Sequence, residues 1–408
     1  MRRNKLWLLI VAGTAPLLGC VPQPTDPGAD LLTTVAGWET PVETSDAPGK
    51  EPAGAPTTGS GEPQDWVING SVAGTGRFQL FDLGPAAIGD DWAVSLPSIA
   101  GGSFTAVLFD ADRDLLMRTR LSSRAPLRHV LRRDTPNVIL GVMPSYGSSG
   151  GDFRLDVTRL PGAPVAPARQ QVVYLNFGAG LGVEVHQRPP MSFAAFDGAA
   201  LGAPYIGQTQ VLKDTIVATM REDYAPYDVV VFTSDEGPVP AGTAYSTVHF
   251  GGSDSNLLGL ADDVDMYNAD LQQSAIIYVA GFAAYETMDL APDELGVMIG
   301  NVASHELGHL LGLYHTKDPT EVMDSTGSAW DLASAQTFHR GPLEDSVFPT
   351  GMEHPPRLLE QTLGLRPNAA AVSSKPLSTA KMLRYKELRN FMKAEVRHRC
   401  GLCLNPDE

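Results

Sequence analysis

Cysteine is scarce in this chain: three in 408 residues, at Cys20, Cys400 and Cys403. No disulfide framework can hold such a fold together. If Cys20 is consumed at the N-terminus, no bridge is left outside the last few residues. Long apolar runs are missing as well. Residues 6–12 and 274–285 are apolar, but both fall short of the ~20 residues that a membrane-spanning helix needs. Residues 274–285 read instead as buried strand and loop. Positive charge is in deficit, with 30 Lys and Arg against 47 Asp and Glu and a formal net charge of -17. A chain this acidic is repelled by phosphate backbones, which excludes nucleic acid as a partner.

What is present divides the chain into segments, and its length suits two or three domains. Arg2, Arg3 and Lys5 precede the short apolar run, and Leu17-Leu18-Gly19-Cys20 follows it. A basic start, an apolar stretch and small residues before a cut describe an export signal over residues 1–20. Leu-Leu-Gly-Cys resembles the lipobox of bacterial lipoproteins, which implies a lipid anchor to the membrane through Cys20. In Gram-negative lipoproteins an Asp after that cysteine favours retention at the inner membrane. Val21 stands there, so the resemblance implies the outer membrane or cell surface. Residues 21–64 are rich in Pro, Thr, Gly, Asp and Glu and cannot bury a core, so they read as a flexible tether.

From 65 to 160 the sequence turns to short runs separated by turn residues, among them 77–81, 91–96, 104–109, 137–142 and 153–157. That spacing predicts an all-β sandwich of roughly seven or eight strands. Residues 147–157 resemble the closing hairpin of the pre-peptidase C-terminal domain, a sandwich attached to secreted bacterial peptidases. Asp110-Ala111-Asp112-Arg113-Asp114 has carboxylates at calcium-loop spacing but lacks an EF-hand's Gly and Glu, so it reads as a solvated turn. Pro161 to Pro167 is a stiff linker, and the sandwich before it is expected to fold as a separable module.

Beyond the linker, strands and helices mix, giving an α+β domain over 170–366. Strands are expected over 171–177, 228–232 and 274–279. A helix over 209–223 would bury Val211, Ile216, Met220 and Tyr224. A second helix should run from Pro292 to 311, with Pro292 in its first turn and Asp293 and Glu294 complementing its dipole. That second helix carries the chemistry. Residues 305–315 read His-Glu-Leu-Gly-His-Leu-Leu-Gly-Leu-Tyr-His. Histidines four apart on a helix share one face and can reach one metal. Gly312 lets the chain turn so that His315 arrives as a third ligand. Three imidazoles with an open fourth position describe one catalytic Zn2+ per chain. Glu306, next to the first ligand, is placed to act as general base toward water activated by the metal.

His305, Glu306, His309, Gly312 and His315, followed by Met323, resemble the metzincin clan of zinc peptidases, whose methionine turn lies beneath the metal. His315-Thr316-Lys317-Asp318-Pro319 with Met323 eight residues after the third His is most similar to the matrixins within that clan. The resemblance implies an endopeptidase acting on a protein or peptide substrate. Thr316 stands where Ser is usual, and Asp324 and Ser325 replace the aromatic and Pro that usually follow the Met, which bears on the substrate pocket wall. No Tyr lies two residues after Met323, so a fifth tyrosine ligand is not implied. Matrixin-like domains often carry structural Ca2+. Here Asp262, Asp263, Asp265 and Asn268 read either as such a site or as a solvated acidic loop.

The tail, 367–408, holds a basic amphipathic helix over 381–399 suited to an acidic surface. Cys400 and Cys403 either bridge locally, stay free, or act as an inhibitory thiolate toward zinc. Two other functions remain open at this level. One is a degenerate surface lipoprotein that binds through its β-sandwich; the other is a zinc enzyme acting on non-peptide amides. A complete set of three histidines and Glu306 argues against degeneracy.

Overall fold

The computed structural model of the protein describes residues 61–366, apart from 75, 98–101 and 123–124. Cys20, the tether up to residue 60, the helix expected over 381–399 and the Cys400–Cys403 segment lie outside the described residues.

Among the described residues, eight strands build the first half: β1 (Gln64–Ala73), β2 (Gln79–Asp82), β3 (Asp91–Ser95), β4 (Phe104–Phe109), β5 (Leu115–Leu121), β6 (Leu127–Val130), β7 (Ile139–Pro144) and β8 (Gly150–Leu160). They form two antiparallel four-stranded sheets, ordered β1-β8-β3-β6 and β2-β7-β4-β5. Alternate residues of both sheets meet in a core that includes Ile68, Trp92, Val94, Phe104, Leu140, Phe153 and Leu155, the period of two expected of strands. The expected closing hairpin is not one. β7 pairs with β2 and β4, whereas β8 pairs with β1 and β3. Residues 145–149 therefore carry the chain from one sheet to the other.

β4 is buried at all six positions. A sandwich strand normally wets one face; a strand covered on both reads as a continuous apolar run. The second cover comes from the other half of the chain. Val107, Phe109, Leu80, Leu115 and Met143 share a cluster with Tyr314, Leu343, Val347 and Phe348. The linker is also fastened: the Ala163 amide donates to the Gly89 carbonyl, and Arg132 Nη1 donates to the Ala166 carbonyl. The sandwich and the second half thus share an apolar cluster.

The turn at Asp110–Asp114 exposes Ala111 and Asp112 at its tip but buries the carboxylates at its two ends. Asp110 and Asp114 are 1% and 2% exposed. Arg133 pairs with Asp110, Arg340 Nε lies 2.6 Å from Asp114, and Arg357 reaches both carboxylates. Three guanidinium groups thus neutralise the two buried carboxylates. Two of them come from the second half, so the loop is an ionic seam between the halves.

The second half holds a mixed sheet of β9 (Gln171–Asn176), β12 (Val229–Thr233), β13 (Ser246–Phe250), β14 (Gly259–Ala261) and β15 (Ser274–Ile277), ordered β12-β9-β13-β15-β14. All pairings are parallel except that of the edge strand β14, which runs antiparallel to β15. A small hairpin, β10 (Gly180–Val183) and β11 (Met191–Phe193), contributes to a separate apolar cluster with Leu260, Ile276 and Tyr278. Against the other face pack α1 (Thr209–Asp223) and α2 (Pro292–Leu310). α1 buries Leu212, Ile216 and Met220, and Tyr224 follows at the same spacing of four. Val211 is 42% exposed instead, because a stripe at every fourth residue leaves it one position off the face. α2 starts on Pro292, and Glu294 Oε2 accepts the Ala291 amide at 2.9 Å. It is buried along most of its length because it lies between sheet, α1 and the segment after residue 315. A short α3 (Ala329–Leu332), the hairpin β16 (Gly341–Pro342) and β17 (Met352–Glu353), and α4 (Pro355–Leu363) complete the fold. No helix among the described residues is long and apolar enough to cross a membrane.

Candidate metal centre

α2 delivers the first two histidines near its C-terminal end, both buried. Each ring is fixed through Nδ1. His305 Nδ1 lies 2.9 Å from the Val322 carbonyl oxygen, and His309 Nδ1 lies 2.8 Å from that of Leu313. A carbonyl only accepts, so each Nδ1 carries the proton. Burial disfavours the imidazolium, pulling His305 down to about 4 and His309 well below the usual histidine range. Both rings are therefore neutral near pH 7, and their Nε2 lone pairs face each other at 3.1 Å. Two lone pairs at that distance repel unless a cation lies between them.

The third ring arrives through Gly312. Its φ of +96° ends the helix, and a Cβ there would sit 2.7 Å from the Met266 Cα. Only glycine combines that backbone conformation with so close an approach. Three residues later the His315 ring centre stands 5.1 Å from that of His305 and 4.6 Å from that of His309. One ligand nitrogen from each ring lies within 4.8 Å of the others. A buried set of three imidazoles fits zinc: nitrogen donors and a ligand count that leaves a position open.

Glu306 is fully buried, and its Oε1 lies against the backbone of Gly259 on the edge strand β14, where an added Cβ would approach within 2.3 Å. Met323 lies beneath α2, its Sδ against Gly308. The turn it belongs to is tied back to the third ligand's neighbour, since the Thr316 amide donates to the Met323 carbonyl at 2.9 Å.

Sequence reasoning missed Glu321. Its Oε2 accepts the Met323 amide at 2.6 Å and the Thr316 hydroxyl at 3.1 Å. Burial raises its carboxyl to about 8. It braces the turn whose Val322 carbonyl orients His305. No local pattern marks such a residue, because its partners are set by the return of the chain beneath α2.

The acidic stretch Asp262–Asp270 does not gather its carboxylates on one point. Asp262 accepts the amides of His186 and Ser274, Asp263 that of Val264, and Asp265 that of Asp270. Asn268 donates to Gln171. These are the bonds of a self-braced loop, and calcium gains no support there. Among the described residues, the groups of three with metal-ligand proximity are the three histidines and Asp110, Asp112 and Asp114; the latter belong to the arginine seam.

Residues 238–336 match the peptidase family described as matrixin. No curated protein matches the chain. Among solved structures, it is similar to a pre-peptidase C-terminal domain of collagenase from Bacillus anthracis, at 18% identity over 23% of this chain and 88% of that one, with a TM-score of 0.19. It is also similar to a periplasmic inhibitor of g-type lysozyme from Aeromonas hydrophila, at 10% identity over 26% of this chain and 92% of that one, with a TM-score of 0.20. The family match and the histidine geometry together identify a matrixin metalloendopeptidase domain with a zinc-binding histidine triad.

Proposed function

We propose that this protein is an exported, lipid-anchored zinc endopeptidase in which Glu306 is the general base. The observation that carries the catalytic reading is the pair of facing, neutral Nε2 atoms at 3.1 Å, with Glu306 on the same helix turn beside the first of them. His305, His309 and His315 would hold zinc. A bound zinc supplies Lewis acidity, polarising the scissile carbonyl and acidifying water. Glu306 takes the proton from the attacking water and passes it to the amine as the C–N bond breaks. Its burial keeps that transfer out of bulk solvent, where a carboxylate would be a weaker base toward water. The third ligand's carbonyl is itself held, by the Glu344 amide at 2.9 Å, which fixes the loop bearing His315.

Replacing Glu306 by Gln keeps the side-chain volume but removes the proton acceptor. Zinc content should stay near one per chain while turnover of a mixed peptide library falls by at least ~100-fold. Near-normal turnover with full zinc would reject Glu306 as the base; loss of both would make it a ligand. Export and anchoring are supported by Arg2, Arg3, Lys5 and Leu17–Cys20 in the sequence. Metabolic labelling with a fatty acid should mark the wild-type chain and not Cys20→Ala, and equal labelling of both would sink the anchor.

A further inference from the structure

We propose that the β-sandwich is a positioning half of the zinc site, with Arg118 the residue through which it fixes His315; the inference rests on the zinc peptidase reading above. Arg118 belongs to β5 of the sandwich, yet its side chain leaves that domain's core and is only 5% exposed. Its Nε donates to the Val347 carbonyl at 3.1 Å. The Val347 amide donates to the Glu344 carbonyl at 3.0 Å, and the Glu344 amide donates to the His315 carbonyl at 2.9 Å. The same guanidinium lies 5.6 Å from the ring centre of Tyr314 and hydrogen-bonds that side chain. Arg118 thus reaches the third ligand along the Val347–Glu344 turn and through the residue next to it in the chain.

β5 also grips the start of the same loop. The Leu116 carbonyl accepts the Tyr267 hydroxyl at 3.1 Å. His129 stacks on the Tyr267 ring, and Arg132 lies 4.2 Å from its centre on the sandwich side. Met266 and Tyr267 are the residues against which Gly312 turns. The three-residue passage from Gly312 to His315 is therefore held at both ends from one sandwich strand. A binding module on a tether would have no reason to bury an arginine there, since burial of a guanidinium is costly unless its donors are used. Arg118 touches neither metal nor substrate, so it is a positioning residue.

The test uses the full chain with Arg118→Ala, Arg118→Lys and, as a control, Arg154→Ala, whose side chain pairs with Asp156 at an exposed site. Zinc affinity is measured by competition with a chromogenic chelator, alongside kcat, KM and near-ultraviolet circular dichroism. Arg118→Ala should weaken zinc binding roughly tenfold, the lower range for residues that orient metal ligands. It should lower kcat with KM little changed, with partial recovery in Arg118→Lys and wild-type values in Arg154→Ala. A folded Arg118→Ala protein that melts earlier but binds zinc with wild-type affinity would overturn the proposal. If Arg118→Ala does not fold, Arg118→Lys and Tyr267→Phe decide: weaker zinc binding in both supports it, and unchanged binding in both overturns it. Should no variant, wild type included, cleave peptides, the peptidase reading fails while the zinc measurement still stands.

Discussion

Glu321 is a fully buried carboxyl group, kept because its Oε2 closes the turn beneath the metal through the Met323 amide and the Thr316 hydroxyl. Burial raises its pKa from the usual glutamate range to about 8. In the unfolded chain it ionises near pH ~4.5. Between those values the folded state binds the extra proton. Stability from this group is therefore fully present below the unfolded pKa and is lost as pH rises through the folded one. Asp223, raised by burial to about 7 and hydrogen-bonded by the Ser304 hydroxyl at 2.5 Å, adds to the same slope. Glu321→Gln keeps an acceptor for the Met323 amide and removes the titration. With metal chelated, its melting temperature should match the wild type at pH 5 and exceed it by several degrees at pH 8. A wild-type pH slope unchanged by the substitution would show that Glu321 is ionised in the folded protein across that range.

The helix α2 is where sequence and structure agree most closely, and the reason is physical. Its ligands, base and terminating glycine lie within eleven residues, so local spacing alone makes them legible. What the sequence left out lies across the chain from it. The carbonyl that orients His305 comes from Val322, and the brace comes from Glu321. In the sandwich, β5 escapes periodic reading because Arg118 occupies a buried position, which breaks the apolar alternation. β14 is three residues long, too short for any period. One signal was available: the six-residue run 104–109 has no polar face except Thr105, and that run implies cover on both sides. Gly312 offers the cleanest test at this scale. Gly312→Ala forces a Cβ toward the Met266 backbone at a φ that L-residues avoid. It should cost more than about 2 kcal/mol of stability, from the backbone strain and the overlap together, and lower zinc content with it. A substituted protein with wild-type stability and zinc would mean that α2 ends for some other reason.

At the scale of the whole molecule, the question is what joins the two halves once the covalent link between them is removed. The linker itself contributes little, being anchored at few points such as the Gly89 and Arg132 bonds. The seam is of two kinds. One is apolar, with Phe348 pressed so closely on Gly141 that a Cβ there would lie 2.7 Å from its ring. The other is ionic, with Asp110 and Asp114 buried beneath Arg340 and Arg357. Removing one partner from a buried pair leaves an uncompensated charge, so separating the halves would strand Asp114, Arg340 and Arg357 and leave Asp110 with Arg133 alone. Salt screens exposed charges far more than buried ones and strengthens apolar contact. A protease site inserted between Gly162 and Val165 and then cut should therefore leave one particle on gel filtration, at low salt and in 1 M (about molar) sodium chloride alike, with zinc retained. Phe348→Ala should loosen that particle, since truncating a buried aromatic costs about 3–5 kcal/mol. If the cut wild-type protein instead runs as two species that each stay soluble, the shared core is not what holds the halves together. The sandwich would then be the tethered module that its strand spacing first suggests.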